Sequence, residues 1–408
     1  MPFDELKIPK INVEPFAFID DFQTRLFVQY ADIIEKTDDG RSVVRWLSED
    51  PRVTALNGKL ISHGSGAQAF HIRALAMWFL WCANQYGSEN ARNHLDSFLD
   101  SEEISAHNTL WVLGIEVDQP IVLRDGYTLQ SINHMPDSRD KESFLQARSK
   151  LTAPQTPAPV CAITKACRVQ KAHDGNDPPL SSGGWQEFVK VSRRLHDIAF
   201  ILNTLNGISC LPYYSTSYVD PTTPLGPFGG SGGGMLVSDV LTHELTKLPS
   251  ESSALIDNVL MKYDKLNHSE KMRTERILNR LSQAKRRTQI EDKILDLGIA
   301  LEMLLLQDNS NREQLSLSFR LRGSWLMGQS PEDRHEKYLQ LRDIYSYRSD
   351  VAHGGVLCGG EEAKIESVRR SFPEYQRLAE DICRKIITDG KPHWTRLILG
   401  KSNSDKTT

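Results

Sequence analysis

The chain has 408 residues, of which 39% are apolar and 25% are charged, and its formal net charge is −4 at pH 7. This length accommodates two or three domains with apolar cores, and the composition is typical of a globular protein. The slightly acidic balance excludes a general polybasic coat for nucleic acid, so any nucleic-acid surface has to be a local patch.

The N-terminus and the cysteines predict a cytoplasmic protein with no membrane segment. The first ten residues lack the apolar core of a signal peptide, and the longest apolar run, near residues 74–82, is too short to span a bilayer. The six cysteines are scattered and show no CxxC or zinc-knuckle spacing. We expect them to be reduced and buried, and we predict no metal and no cofactor.

Residues 1–175 are predicted to form a mixed region of helices and β-hairpins. Residues 67–86 have apolar side chains at helical spacing and precede Gly87, a residue that favours a helix end. Trp78 and Trp81 in this segment are expected in the core rather than as a platform for bases. Short β-rich runs separated by turn residues follow at 110–117, 121–123, 127–132 and 160–169. Residues 173–184, with Gly, Pro and Ser, predict a linker.

Residues 176–400 are predicted to be almost entirely helical, and residues 401–408 to be a disordered tail. The expected helices cover residues 185–206, 254–266, 273–286, 288–306, 315–327, 332–347 and 367–388. Between the first two lies a glycine-rich loop at 209–234. It lacks the Gly-Lys-Ser/Thr of a phosphate-binding P-loop, and we interpret it as a mobile lid or hairpin tip.

The helix predicted at 288–306 is apolar on most sides and is expected to be the centre of a helical bundle. Its core stripe steps by four, three, four and three residues through Ile290, Ile294, Leu297, Leu301 and Leu304. Thr288 and Glu291 have the spacing of a capping box at its start.

Glu302 interrupts an apolar side of this helix. A buried carboxylate needs a partner, and Arg348 is the expected one, with Arg320 and Arg322 as competitors.

Residues 347–355 read YRSDVAHGG and contain the strongest candidate for catalysis. Arg348 and His353 would lie about 140° apart on a straight helix, so they do not share one face. Loosening of the helix at Gly354-Gly355 could bring them together, or two copies of the motif could meet across a dimer axis.

An Arg–His pair suits the cleavage of RNA. The guanidinium binds the phosphate and the charge that develops on it, and an imidazole, which changes charge near neutral pH, acts as acid or base. The RNA 2′-hydroxyl supplies the nucleophile, so the reaction needs no metal and leaves a 2′,3′-cyclic phosphate. From the spacing alone, a histidine at a helix end and an arginine in a surface ion pair remain an alternative.

A basic segment precedes the central helix. Residues 265–287 contain eight Lys or Arg and two Glu, a net charge of +6 in a chain of net charge −4. Arg280, Lys285, Arg286 and Arg287 are predicted to bind RNA phosphates beside the motif. The alternative is a solvated basic helix face.

Three segments in order, DKILDLGIALEMLLL at 292–306, LRGSWLMG at 321–328 and YRSDVAHGG at 347–355, resemble the HEPN superfamily, in particular Apea-like HEPN domains. The resemblance covers roughly residues 236–398 and implies an all-α bundle. Many HEPN proteins are metal-independent ribonucleases of antiviral and toxin systems whose Arg-x4–6-His motifs pair across a homodimer. Carried over, Arg348 and His353 match the catalytic pair. The supporting residues would be Tyr347, Ser349, Asp350 and Glu302, with Ser349 standing where active members often have Asn, Asp or His.

The sequence therefore predicts an α+β protein with an N-terminal α/β region and a C-terminal HEPN bundle. The leading hypothesis is a homodimeric endoribonuclease that acts on RNA in bacterial antiphage defence or toxin-like growth arrest. Its N-terminal region is expected to respond to a phage-derived or regulatory trigger. The alternative is a catalytically inactive HEPN module for RNA binding or dimerisation within a larger complex. A third hypothesis is nucleotide sensing by the glycine-rich loop and the N-terminal region.

Overall fold

The structure is a computed structural model that describes residues 30–62, 67–135, 141, 144–145, 161–174, 183–226, 232–235, 245–307 and 314–400. Within these residues, β-sheets in the N-terminal half are followed by helices, which confirms the predicted α+β class. The tail predicted at 401–408 lies outside the described residues.

The main helices of the N-terminal half alternate with strands of the sheets, whereas those of the C-terminal half follow one another directly. They are α1 (Asp38–Glu49), α2 (Ile72–Tyr86), α3 (Ser88–Asp100), α4 (Gly183–Leu202), α5 (Ser253–Asp264), α6 (His268–Arg286), α7 (Ile290–Leu305), α8 (Leu315–Met327), α9 (Pro331–Gly354), α10 (Glu362–Asp389) and α11 (Trp394–Leu399).

The strands form one large antiparallel sheet and two small sheets. They are β1 (Lys59–Ser62), β2 (Ala67–Ala69), β3 (Glu103–Leu113), β4 (Ile115–Glu116), β5 (Ile121–Val122), β6 (Thr128–Ser131), β7 (Cys161–Gln170), β8 (Ala172–Asp174), β9 (Leu211–Val219), β10 (Gly232–Met235) and β11 (Thr246–Lys247). The large sheet has the order β10-β9-β3-β7-β6-β5, and every neighbouring pair in it is antiparallel. A three-stranded sheet has the order β2-β1-β8, and β11 pairs with β4 in parallel.

The large sheet is covered on both faces because β3 alternates its apolar side chains. Leu110 and Val112 point into the main core, whereas Trp111 and Leu113 belong to a smaller core on the opposite face. In that smaller core the Trp111 ring stacks on Phe144 with a centroid separation of 4.1 Å. Both faces are therefore closed to solvent along the middle of the sheet.

Several boundaries predicted for strands and loops differ from the structure. The helix predicted from residue 67 begins at Ile72, because Ala67–Ala69 pairs with β1 instead. The segment interpreted as a mobile lid or hairpin tip at 209–234 contains β9, which pairs along nearly all of β3, and Gly232, which begins the edge strand β10. Because β9 and β10 are antiparallel neighbours, the hairpin interpretation fits and the lid interpretation does not. The predicted linker at 173–184 overlaps β8 by two residues and α4 by two, and residues 175–182 between them lie outside the described residues. Backbone pairing satisfies more hydrogen bonds at these places than a loop would.

Helix α4 joins the sheet region to the helical bundle. One side of it contacts β7 and β3, and another contacts α5 and α6. Its apolar residues Leu195, Ile198 and Leu202 are buried in a core that is continuous from the sheet to the bundle. Strands β9 and β10 follow residue 175 in the chain, so the large sheet extends past the predicted domain boundary. The prediction that residues 176–400 are almost entirely helical is therefore wrong.

Helix α7 is the central helix of the bundle, as its sequence predicts. It contacts α6, α8, α9 and α10, and its stripe residues Ile294, Leu297 and Leu301 are fully buried. The predicted capping box at Thr288 is wrong: α7 begins at Ile290, and its N-cap, Gln289, makes no side-chain capping bond. A capping box does occur at the start of α6, formed by Asn267 and Glu270.

Candidate active site at the end of helix α9

Helix α9 carries the YRSDVAHGG motif and remains regular through it. Ser330 caps its start by accepting a hydrogen bond from the Asp333 amide at 3.1 Å. Its end is set by Gly355, which has φ +66° and donates its amide to the Val351 carbonyl at 2.9 Å. Because the helix continues through Gly354, the predicted loosening between Arg348 and His353 does not occur.

Arg348 faces the central helix because it continues the apolar stripe of α9. Leu341 and Ile344 lie three positions apart on this stripe and are buried. Arg348 follows four positions later and crosses α7 at Gly298. A Cβ atom at Gly298 would lie 2.5 Å from the Arg348 Cγ and 2.7 Å from its Cβ. The glycine therefore leaves the space that the arginine stem occupies.

The Arg348 guanidinium forms an ion pair with Glu302 on α7. Its Nη2 donates to the Glu302 Oε2 at 2.9 Å, and the two side chains are 25% and 23% exposed. Burial raises the pKa of the Glu302 carboxyl, and the charge of Arg348 opposes that rise. This is the partnership that the sequence predicts for Glu302. The competing arginines lie elsewhere: Arg320 stacks over Tyr338, and Arg322 donates to a backbone carbonyl of α7.

One donor of Arg348 is left over. Its Nε is buried and has no hydrogen-bond partner among the residues that the structure describes. A buried donor without a partner is costly, and this nitrogen is closed to a bound ligand by the protein around it. Any contact with a ligand therefore falls to the exposed part of the side chain, which Glu302 holds in one orientation.

His353 lies in the last turn of α9 and is exposed. No hydrogen bond or ion pair to its ring occurs within the described part of the chain. Since the helix is regular, its side chain leaves α9 about 140° around the axis from that of Arg348. A single chain therefore does not bring the two residues to one face, and a meeting across a dimer axis stays a prediction.

The other predicted supporting residues are neighbours of Arg348 in the sequence. Tyr347 is half-buried against the core, and this burial raises the pKa of its phenol. Ser349 is half-buried, and Asp350 is exposed. Since adjacent positions of a regular helix point in different directions, these side chains do not share the face of Arg348.

Two of the four residues predicted to bind RNA phosphates are inside the protein. The Lys285 side chain is 7% exposed, and its Nζ lies 2.9 Å from Glu380 and 3.1 Å from the Asn203 carbonyl oxygen. Arg286 is buried and donates to a backbone carbonyl of its own helix. Neither can reach a phosphate outside the fold, so the prediction for Lys285 and Arg286 is wrong.

The other two basic residues, Arg280 and Arg287, both form ion pairs with the buried carboxylate of Asp296. Arg280 Nη1 and Arg287 Nε contact the two oxygens of Asp296 at 2.5 and 2.9 Å, and the Asp296 side chain is only 4% exposed. Arg280 and Arg287 keep 41% and 29% of their side-chain surface exposed. They join α6 to α7 and leave part of each guanidinium at the surface.

Gly298 is the residue that the sequence analysis missed. A glycine in the middle of an apolar helix costs about 1 kcal/mol relative to alanine, which signals a packing requirement at that position. The requirement is the crossing with Arg348.

No protein-family model, curated protein or solved structure matches the chain. Within the described residues, no group of three His, Cys, Asp or Glu side chains is arranged to hold a metal ion, and no helix has the length and apolarity to cross a bilayer.

Proposed function

We propose that the protein is a metal-independent endoribonuclease of the HEPN type, with Arg348 and His353 as its catalytic residues. The observation that carries the proposal is the packing of Arg348 against Gly298 together with its ion pair with Glu302. A glycine at the crossing makes room for the arginine, and the Glu302 carboxylate holds its guanidinium on the face that α9 turns towards α7, about one turn before the exposed His353.

The chemistry of the proposed reaction is transesterification. His353 removes the proton from the RNA 2′-hydroxyl, and the 2′ oxygen attacks the adjacent phosphorus. The bond from phosphorus to the 5′ oxygen breaks, and a protonated imidazole returns a proton to that oxygen. Arg348 binds the non-bridging phosphate oxygens, whose negative charge is stabilised in the transition state. Glu302 is a positioning residue for Arg348.

A dimer is part of the proposal because one chain separates the two side chains around α9. Two copies that meet along the exposed end of this helix would place His353 of one protomer beside Arg348 of the other. The protein would then act on RNA in antiphage defence or growth arrest, and the N-terminal region would receive the trigger.

The product ends and the substrate sugar test this reaction directly. Single-stranded RNA with one 2′-deoxy position is incubated with the protein in EDTA. We expect 2′,3′-cyclic phosphate ends at each cut and no cut at the deoxy position. Products with a 3′-hydroxyl, or cleavage at the deoxy position, would overturn the proposal.

A second candidate function is supported by the same geometry. Glu302 already balances the charge of Arg348. This observation favours a catalytically inactive module for RNA binding or dimerisation within a larger complex. Binding of RNA without cleavage, unchanged in His353→Ala, would support this function and exclude the first.

A further inference from the structure

A cavity of about 630 Å³ lies between the large sheet and the helical bundle. The turn before β6 and strand β7 line it on one side, and α4, the end of α5 and the start of α6 line it on the other. None of the motif residues lines it, so it is distinct from the site at the end of α9. Its volume is within the range of small-molecule sites.

Much of the charge around the cavity is paired. Arg194 forms two parallel contacts with Asp264, at 2.6 and 2.8 Å. Lys190 lies 3.5 Å from Glu187. These pairs shape the wall and contribute little net charge to the interior.

Two lysines at the cavity have no carboxylate partner among the residues that the structure describes. The Lys165 Nζ lies 5.4 Å from the centre of the Tyr127 ring and donates to a backbone carbonyl. The Lys271 Nζ lies 5.4 Å from the centre of the Tyr263 ring. Because one lysine comes from the sheet and the other from α6, the ammonium groups approach the cavity from opposite walls.

Asp197 on α4 provides an acceptor in the same cavity. It lies 3.4 Å from the Tyr263 hydroxyl, which is closer to Glu275, at 3.1 Å. A hydroxyl has a single proton, so it cannot donate fully to both carboxylates. Burial raises the pKa of Asp197 to about 6.

We propose that this cavity binds a phosphorylated small molecule whose phosphate lies between Lys165 and Lys271 and whose hydroxyl or amino group donates to Asp197. Two ammonium groups without a carboxylate partner match the charge of a phosphomonoester, and the Asp197 carboxylate, which shares one hydroxyl proton with Glu275, matches a donor elsewhere in the same ligand. Nucleotides and sugar phosphates share this chemistry. The proposal does not depend on ribonuclease activity.

Titration calorimetry on the full chain tests the proposal with AMP, GMP, UMP and glucose 6-phosphate as probes, and with inorganic phosphate and adenosine as controls. We expect at least one phosphomonoester to bind at least tenfold more tightly than inorganic phosphate, and adenosine to bind more weakly still. The result identifies whether a nucleotide or a sugar phosphate is the better ligand. Absence of binding by all four phosphomonoesters at 5 mM, or equal affinity for inorganic phosphate, would overturn it.

Three lysine variants locate the bound phosphate. Lys271→Met and Lys165→Gln are each expected to weaken the binding at least tenfold. Lys190→Met is the matched control, because this lysine lines the same cavity but is paired with Glu187, and we expect less than a threefold change. Thermal unfolding confirms that each variant is folded. Wild-type affinity in both folded Lys271→Met and folded Lys165→Gln would exclude the cavity as the binding site.

Discussion

Replacing Gly298 with alanine should disturb the crossing of α7 and α9 at Arg348. The new methyl carbon would lie 2.5 Å from the Arg348 Cγ and 2.7 Å from its Cβ, whereas carbon atoms in contact are about 3.5–4.0 Å apart. The Cγ can rotate away, but the Cβ is fixed to the backbone of α9. The two helices therefore have to separate by roughly 1 Å at this point.

Three contributions decide the stability of Gly298→Ala. Alanine in place of glycine stabilises a helix interior by about 1 kcal/mol. Overpacking costs about 1–3 kcal/mol. Displacement of the guanidinium also removes a charged hydrogen bond to Glu302, worth about 1.5–3 kcal/mol. We expect a net loss of roughly 1.5–5 kcal/mol, obtained from these ranges.

Denaturant unfolding of Gly298→Ala measures this loss. Gly354→Ala is the matched control, because Gly354 is also in a helix but has open space where a Cβ would be placed. We expect the control to be neutral or stabilised by up to about 1 kcal/mol. If Gly298→Ala is as stable as this control and cleaves RNA at the wild-type rate, the reasoning about the crossing is wrong.

Three further predictions concern groups away from the motif. The pKa of Asp197 is about 6 in the folded protein and about 3.9 in an unfolded chain. Between about pH 3.9 and pH 6 the folded protein therefore binds more protons than the unfolded chain, and its free energy of unfolding falls as the pH rises through this range. Asp197→Asn should therefore stabilise the protein at pH 7.5, by up to roughly 2–3 kcal/mol, and should match wild type at pH 4, as thermal unfolding at both pH values would show. Lys285→Met and Glu380→Gln each leave a buried group without its partner. Each should lower the free energy of unfolding in denaturant by about 3–5 kcal/mol, and a smaller loss in both variants would exclude the buried pair. Cys358 is the one cysteine that is not fully buried, so it should react first with a thiol reagent in the native protein, and equal rates at all six cysteines would contradict the described burial.

Features set by one continuous periodicity could be predicted from the sequence. The three-and-four spacing of α7 predicts its central position, and Glu302 on an apolar side predicts a cationic partner, which is Arg348. Both inferences hold because a helix fixes which residues share a face.

Features that depend on distant contacts could not be predicted in the same way. Lys285 stands in a basic run of the sequence, which predicts a surface residue. In the structure it is buried because it forms an ion pair with Glu380, nearly a hundred residues later. Strand β9 lies in a segment with aromatic and β-branched residues, a signal of a strand, yet its central place in the sheet follows from pairing with β3, more than a hundred residues earlier.

The rate at which the protein cleaves labelled single-stranded RNA in EDTA tests whether Arg348 and His353 are catalytic residues. His353→Ala and Arg348→Ala would be compared with His335→Ala and Arg342→Ala, which remove exposed residues of the same types from the same helix. We predict cleavage by wild type and by both control variants, and a loss of at least a hundredfold in both motif variants, since acid–base catalysis contributes about 10²–10⁴-fold. Cleavage by His353→Ala within a few-fold of the wild-type rate would contradict the account.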